Sequence, residues 1–168
     1  MMDKKLLEKL NEQVVHEFYS SYLYLSMAAY FENKSLKGFA HWMRLQAQEE
    51  NAHAMKIFNF ILERGENVEL GAIKKPKTSW ASTIDVIRET LAHEKSVTGL
   101  INSLVEMSKK ANDNATQIFL NWFVTEQIEE ESNASEILDR LTLVGEKGEG
   151  IFMIDRELAQ RIAAPETE

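Results

Sequence analysis

Six residues with metal-binding side chains interrupt stretches of sequence that otherwise have the apolar pattern of buried helices. They are Glu17, Glu50, His53, Glu94, Gln127 and Glu130. Two pairs among them are three residues apart, a spacing that puts both members of a pair on one helix face. Carboxylates with an imidazole and no thiolate suit a moderately hard divalent ion. The residue types therefore predict a metal site inside a helical protein.

Four apolar seams position these residues, and their period of alternating threes and fours predicts four long α-helices. The first seam contains Leu7, Leu10, Val14, Glu17, Ser21, Tyr24, Ala28 and Phe31. The second contains Leu36, Phe39, Met43, Gln46, Glu50, His53, Ile57 and Phe60. The third contains Ile84, Ile87, Leu91, Glu94, Thr98, Ile101 and Val105. The fourth contains Thr116, Leu120, Phe123, Gln127, Glu130, Ala134, Ile137 and Leu141. Four such helices are expected to form a bundle.

The connections predict how the helices are joined. The short segments ENKS and KKANDNA each favour an antiparallel helical hairpin. Between the hairpins, residues 65–82 could reach about 60 Å when extended at ~3.3 Å per residue, whereas a helix of about 28 residues is about 42 Å long. This crossover can therefore run the whole length of the bundle. We expect one domain over residues 1–168, with the bundle at about 4–144 and a short fifth helix at about 149–162.

The height of the polar residues supports a shared site. Counted from the two hairpin turns, all six lie about 25 Å along their helices at ~1.5 Å per residue. A single glutamate on a seam could simply fix helix register, but four buried carboxylates would repel one another, at several kcal/mol each. No Lys or Arg lies on the seams at that height. A bound cation is the simplest solution, and two ions about 3.5–4 Å apart fit this number of ligands better than one.

Three further glutamates lie one position before the seams: Glu49, Glu126 and Glu129. They could form an ordinary solvated acidic face or a weaker third metal site, and the sequence leaves both interpretations open. Three other histidines fall off the seams and are not expected to bind metal: His16, His41 and His93.

Composition narrows the classes of function. The net charge is -8 and the pI is about 5.1, which argues against nucleic-acid binding and is compatible with attraction of cations. The absence of cysteine excludes a disulfide framework and Cys-ligated zinc. The charged start MMDKKLLEKLNEQ lacks a signal core, and no apolar run is long enough to span a membrane. We therefore expect a cytoplasmic protein without membrane partners.

Several stretches resemble the prokaryotic non-haem ferritins over essentially the whole chain. They are HEFYSSYLYLSM, QAQEENAHAM, HEKSV, FLNWFVTEQIEEE and the C-terminal GEGIFMIDREL. The resemblance implies a ferritin-like fold and a homo-oligomeric, hollow 24-subunit shell. It also implies a ferroxidase that uses O2 or peroxide to oxidise Fe(II) and stores Fe(III) as a mineral.

The resemblance also implies roles for individual residues. The first iron would be bound by Glu17, Glu50 and His53. The second would be bound by Glu94 and Glu130, with Glu50 bridging and Gln127 beside it. The third site would be shaped by Glu49, Glu126 and Glu129, with Glu130 shared. Tyr24 would lie next to the di-iron centre as an electron donor, or else serve as a hydrogen-bonded core tyrosine. Trp122 is expected to act in core packing.

Departures from related families refine these expectations. Relatives that keep iron as a permanent cofactor have Glu-x-x-His on both hairpins, whereas the second pair here is Gln127 with Glu130. We expect this difference to loosen the second iron and to make the centre a substrate site. Asn51 stands where bacterioferritins place a haem-ligating methionine, so no haem is expected.

The sequence also permits other interpretations of the function. The shell could serve mainly in detoxification or hold another metal, and an inert helical scaffold is the alternative from a different class. A twelve-subunit cage is disfavoured because that class takes its ligands from two chains and lacks the fifth helix.

Overall fold

A computed structural model describes residues 2–145 and 148–162 of the chain. Within those residues the chain forms five α-helices and no β-strand. The helices are α1 (Lys4–Asn33), α2 (Lys37–Glu63), α3 (Thr83–Lys110), α4 (Asn114–Val144) and α5 (Glu149–Leu158). This confirms the predicted all-α architecture with a short fifth helix. The predicted single domain also includes residues 1, 146–147 and 163–168, which lie outside the described residues, and its extent remains a prediction.

Two antiparallel hairpins form the bundle, α1 with α2 and α3 with α4. Their tight joints contain Ser35 at φ 60° and Asn112 at φ 52°, left-handed conformations that reverse the chain in a few residues. At the end of α2, both terminal nitrogens of the Arg64 guanidinium lie 3.0 Å from Asp113 oxygens at the start of α4. Because α2 and α3 therefore end at the same end of the bundle, these two helices run parallel.

The crossover at residues 65–82 makes that parallel arrangement possible by running along α1. Near its start, the Glu69 amide donates to the Asn11 side chain at 2.8 Å. Further on, Ser26 donates to the carbonyl oxygen of Lys77 at 2.6 Å, and Trp80 packs edge-on against Tyr30. The crossover thus spans the bundle as its length predicted. Within the described chain, no helix combines the length and apolar character needed to cross a membrane.

The apolar core consists of two clusters on either side of a polar layer. One cluster includes Phe31, Phe39 and Met43, and the other includes Leu10 and Ile57. The acidic and amide side chains of the four seams lie between the two clusters, and they are buried as well. The fold therefore places the predicted metal-binding residues at the middle of the bundle.

The seams were predicted unequally well. All eight residues of the fourth seam are buried. In α3, the prediction of Leu91 and Thr98 as core positions is wrong, because these side chains are only half-buried. Ile84 and Val105 are half-buried too, but they pack against the apolar core. Leu91 and Thr98 border an open cleft of about 530 Å³ between α3 and α4. The residues one position earlier in the sequence are buried instead: Thr90, Val97 and Leu104.

Helix α5 caps the start of α2. The Asp155 carboxylate accepts from the amides of Gly38 and Phe39 at 2.8 and 3.0 Å, which satisfies donors that helix starts leave without an internal partner. The approach is close enough that a Cβ atom on Gly38 would lie 1.6 Å from the Asp155 carbonyl oxygen. The helix ends at Leu158, before the predicted end near 162. Beyond it, the Arg161 carbonyl accepts from the His41 ring at 2.9 Å.

Candidate metal centre

The six polar seam residues meet in one layer of the bundle. Their burial follows from the helix period, since each replaces an apolar residue on the face that packs against the other helices. None of them is more than 5% exposed to solvent. Burying this many carboxylates without counter-ions is unfavourable by several kcal/mol for each charge. The layer is therefore a place where cations or protons must compensate negative charge.

Glu17, Glu50 and His53 form a compact donor group. Each offers one ligand atom, and these atoms all lie within 4.8 Å of one another. Glu50 and His53 are one turn apart on α2, with His53 Nδ1 3.4 Å from Glu50 Oε2, while Glu17 approaches from α1. Two carboxylates and an imidazole at this separation could hold one divalent metal ion.

The carboxylates of this group have unsatisfied oxygens. Glu17 Oε1 accepts from Gln13 Nε2 at 2.9 Å. Glu17 Oε2 and Glu50 Oε2 are buried, and neither accepts a hydrogen bond from any residue that the structure describes. Buried polar atoms are normally hydrogen-bonded, so two adjacent exceptions point to an absent partner. A cation would supply that partner, and the donor set fits iron.

Glu94 and Glu130 lie in the same layer but outside the compact group, and side chains of the protein donate to them. The Tyr24 hydroxyl donates to Glu94 Oε1, and Gln127 Nε2 donates to Glu94 Oε2 at 3.1 Å. Gln46 Nε2 donates to Glu130 Oε2 at 2.6 Å. These two carboxylates are therefore oriented by neutral donors, which a metal ion could replace or supplement.

Burial dominates the protonation of the layer. It raises the pKa of Glu17 to about 7 and that of Glu130 to about 8. Desolvation, followed by the charges of Glu94, Glu17 and Glu130, raises the pKa of Glu50 well above its usual value. Desolvation also lowers the pKa of His53 to about 4, so its imidazole is neutral near pH 7, the form that binds metal.

The three outer glutamates are placed differently from one another. Glu126 Oε1 lies 3.9 Å from His53 Nε2, next to the compact group. Glu129 is exposed on α4. The Glu49 carboxylate pairs with Arg161, at 2.9 and 3.1 Å. The structure thus brings Glu126 to the centre, leaves Glu129 at the surface, and gives Glu49 a cationic partner from the C-terminal segment.

Sequence reasoning missed three side chains that act on the layer: Gln13, Gln46 and Arg161. Gln46 was predicted on the second seam without a role, and Gln13 was not predicted at all, although each lies one turn before a predicted ligand. Nothing in the seam pattern points to Arg161, because it follows the fifth helix.

The side chains that were not expected to bind metal have other contacts. His93 Nε2 lies 2.8 Å from the Ser20 hydroxyl, and His41 binds the Arg161 carbonyl. His16 is exposed. Trp122 is half-buried and packs against the apolar cluster that contains Leu10. Its ring meets the His53 ring edge-on.

Comparison with known proteins identifies the family. The model of the ferritin-like domain matches residues 7–144. The bacterial non-heme ferritin of Bacteroides fragilis is 42% identical over 161 residues, which span 96% of this chain and 100% of that protein. The chain belongs to the ferritin family. The bacterial non-heme ferritin of Staphylococcus haemolyticus is 40% identical and spans 96% of this chain and 97% of that protein.

Solved ferritin structures share the fold of this family member. A closed form of the Archaeoglobus fulgidus ferritin, engineered by mutagenesis, is 45% identical with a TM-score of 0.95, over 98% of this chain and 100% of that chain. An open-pore ferritin from the same archaeon is 46% identical with a TM-score of 0.94, over 96% and 98% of the two chains. These findings confirm the resemblance to non-haem ferritins and the ferritin-like bundle with a fifth helix.

Proposed function

We propose that this ferritin-family protein stores iron after oxidising it at the buried layer. The observation that carries the proposal is the compact group of Glu17, Glu50 and His53, in which two buried carboxylate oxygens accept no hydrogen bond from the described residues. Fe(II) is the substrate, O2 or peroxide is the oxidant, and Fe(III) is the product that is kept. The names of the relatives, bacterial non-heme ferritins, support the storage role and a centre without haem.

The layer offers enough ligands for two iron ions. In this proposal Glu17, Glu50 and His53 hold the first ion, and Glu94 and Glu130 hold the second. Glu50 would bridge the two, as the family resemblance suggests, and its carboxylate interacts electrostatically with Glu17 of the first set and with Glu94 and Glu130 of the second. Two Fe(II) ions held together can give two electrons to one O2 molecule, with two protons, yielding hydrogen peroxide and two Fe(III) ions. Single-electron products are thereby limited.

The side chains around the ligands prepare this exchange. Protons held on the carboxylates leave when the metal arrives, because the cation takes over their stabilising role. Gln127 and Tyr24 fix the orientation of Glu94 before the metal binds. Tyr24 is also placed to give an electron to the centre, as the family resemblance suggests. A third ion would bind among Glu49, Glu126 and Glu129, with Glu130 shared.

Storage requires an enclosed space, and we propose that 24 copies of this chain form a hollow shell. The structural likeness to the open-pore and closed forms of the Archaeoglobus fulgidus ferritin supports a homo-oligomer. The net charge of -8 favours accumulation of cations. The cytoplasmic location expected from the sequence stays a prediction.

The rate of Fe(III) formation in air tests the oxidation step. We expect Glu50→Ala to lower the initial rate by more than about tenfold, since it removes the bridging ligand. Glu63→Ala is the matched control, because Glu63 is an exposed glutamate on the same helix. Equal rates in both variants would overturn the assignment, and a monomer in light scattering would overturn the shell.

A further inference from the structure

The guanidinium of Arg161 forms a salt bridge with the carboxylate of Glu49. Its Nη2 atom lies 3.1 Å from Glu49 Oε1 and 2.9 Å from Glu49 Oε2, while Nη1 donates to Gln46 Oε1. Both partners are on α2, one turn apart, on the face that leads to the metal layer. Arg161 itself comes from the segment after α5, more than 110 residues further along the chain.

Several contacts hold Arg161 in this position. Its carbonyl oxygen accepts from the His41 ring at 2.9 Å, and its guanidinium lies over the Trp42 ring at 5.6 Å from the centroid. The preceding helix α5 is fixed by the Asp155 cap on α2. The guanidinium is therefore held by the Trp42 ring and by its anchored backbone as well as by the ion pair.

Gln46 extends the influence of Arg161 to the second iron position. The amide of Gln46 accepts from Arg161 on one side and donates to Glu130 Oε2 at 2.6 Å on the other. Burial raises the pKa of Glu130 and that of Glu126, and the positive charge of Arg161 opposes both shifts. One cationic side chain thus acts on the proposed third position directly and on a proposed ligand of the second ion through an amide.

We propose that Arg161 is a resident counter-cation that occupies the third metal position until a divalent cation displaces it. The inference rests on the proposed function, because it takes Glu49 and Glu130 as ligands. Displacement breaks the two hydrogen bonds to Glu49 and frees the Gln46 amide, which then no longer holds Glu130 in its metal-free orientation. Arg161 is thus a positioning residue that makes the third position weaker than the other two and links its filling to the second.

Zn(II) titration of the metal-free, assembled full-length protein tests this by calorimetry, because zinc binds oxygen and nitrogen ligands without redox chemistry. We expect two tighter binding events and one weaker event for each chain. Arg161→Gln should tighten the weaker event by about tenfold, the effect of losing a competing ion pair of roughly 1.4 kcal/mol. Arg161→Lys should fall between, since a lysine keeps the charge but lacks the second nitrogen that donates to Gln46.

Two further variants isolate the mechanism. Arg156→Gln removes an exposed arginine from the preceding helix α5 and should leave all three events unchanged. Combining Glu49→Gln with Arg161→Gln should abolish the gain, because the released carboxylate is then missing. A weaker event that is unchanged or weakened in Arg161→Gln, or absent from every variant, would overturn the proposal.

A structure of the unmodified protein with Zn(II) gives a test that needs no variant to fold. Zinc on Glu49 with the guanidinium moved beyond hydrogen-bonding distance supports displacement, and zinc on Glu49 with the ion pair intact contradicts it. If the proposed function is wrong, the two tighter binding events will be missing from the unmodified protein, which distinguishes this failure from failure of the Arg161 proposal. Those events depend directly on Glu50, whereas Arg161 reaches the second position only through Gln46.

Discussion

Glu17 and Glu50 lie on the neighbouring helices α1 and α2, and each buries one carboxylate oxygen that accepts no hydrogen bond from the described part of the chain. Such a pair opposes folding when both groups are charged, because each has lost its hydration and lies near the other. A cation between them reverses the sign of the interaction. This pair therefore destabilises the metal-free protein, and a metal ion bound between the two carboxylates would stabilise the fold.

Glu50→Gln should raise the stability of the metal-free protein and lower its reactivity. On folding, Glu50 must either be buried as a charge or take up a proton, and both cost free energy. A neutral amide of the same shape avoids this cost, so the free energy of unfolding should increase by about 1–3 kcal/mol. Urea unfolding after chelation measures this change, and Glu63→Gln is the exposed control on the same helix. With saturating Zn(II) the order should reverse. A less stable metal-free variant would mean that Glu50 is compensated within the protein.

The pH dependence of metal-free stability follows from the raised carboxyl pKa values. The pKa of Glu17 rises from 4.5 to about 7 and that of Glu130 from 4.5 to about 8, so the folded state binds more protons than the unfolded state between these limits. Stability should therefore fall as the pH rises from about 4.5 to 8, by on the order of a few kcal/mol. Thermal unfolding of chelated protein across this range measures it.

Zinc affinity should show the opposite trend over the same range. Metal binding must release the protons held on these carboxylates, so the affinity should increase up to about pH 8. The His53 pKa of about 4 means that its imidazole does not contribute in this window. Calorimetry in buffers of different ionisation enthalpy counts the released protons. Affinity that does not change between pH 5 and 8 would contradict the protonated layer.

The pair Gln127 and Glu130 should control whether iron leaves the centre. Converting it to Glu-x-x-His with Gln127→Glu and Glu130→His supplies a stronger ligand set, and it also removes the amide that now donates to Glu94. We expect iron to stay bound at two ions per chain after desalting, with slower multiple turnovers. Iron analysis after repeated additions measures this, and unchanged turnover with no retained pair would show that the asymmetry is unimportant.

Tyr24→Phe should slow iron oxidation more than it affects folding. The hydroxyl donates to Glu94, so its loss leaves a proposed ligand of the second ion less well oriented, and the oxidation rate should fall by about tenfold or more. Stopped-flow absorbance measures the rate, with Tyr22→Phe on the exposed side of α1 as the control. An unchanged rate with lowered stability would assign Tyr24 to core packing alone.

The docking of α5 on α2 should be intolerant of even one methyl group. A Cβ atom at Gly38 would lie 1.6 Å from the Asp155 carbonyl oxygen, so Gly38→Ala must displace α5, at about 1–3 kcal/mol. Gly99→Ala is the matched control in α3, where the Cβ atom meets nothing within 4 Å, and it should stabilise by about 0.5–1 kcal/mol. Thermal unfolding and limited proteolysis near α5 distinguish the two. Equal effects would contradict the docking.

The sequence predicted the bundle and the buried polar layer because both depend on helical period and chain length. The α4 seam was correct at every position since that helix packs its whole face inward. In α3 the period was right, but the covered side differed because the α3–α4 cleft exposes Leu91 and Thr98. The helical period alone does not determine which side of a predicted seam a neighbouring helix covers.

The contacts of Arg161 could not be predicted from the sequence. They depend on how α5 returns across α2, and that return depends on an Asp155 cap and a glycine at position 38 whose roles appear only in three dimensions. Likewise, the sequence placed Gln46 on a buried seam, but it indicated no partner for Gln46 or for Gln13. Long-range hydrogen bonds of this kind are set by tertiary packing, which carries no local periodic signal.

The amount of iron that stays soluble with the protein after excess Fe(II) is added in air tests the central claim most directly. We predict retention far above two or three ions per chain, with a markedly slower approach to that level in Glu50→Ala. A ceiling near two tightly held ions would indicate a fixed di-iron enzyme, and no retention would indicate an inert helical scaffold. Either result would contradict storage by this protein.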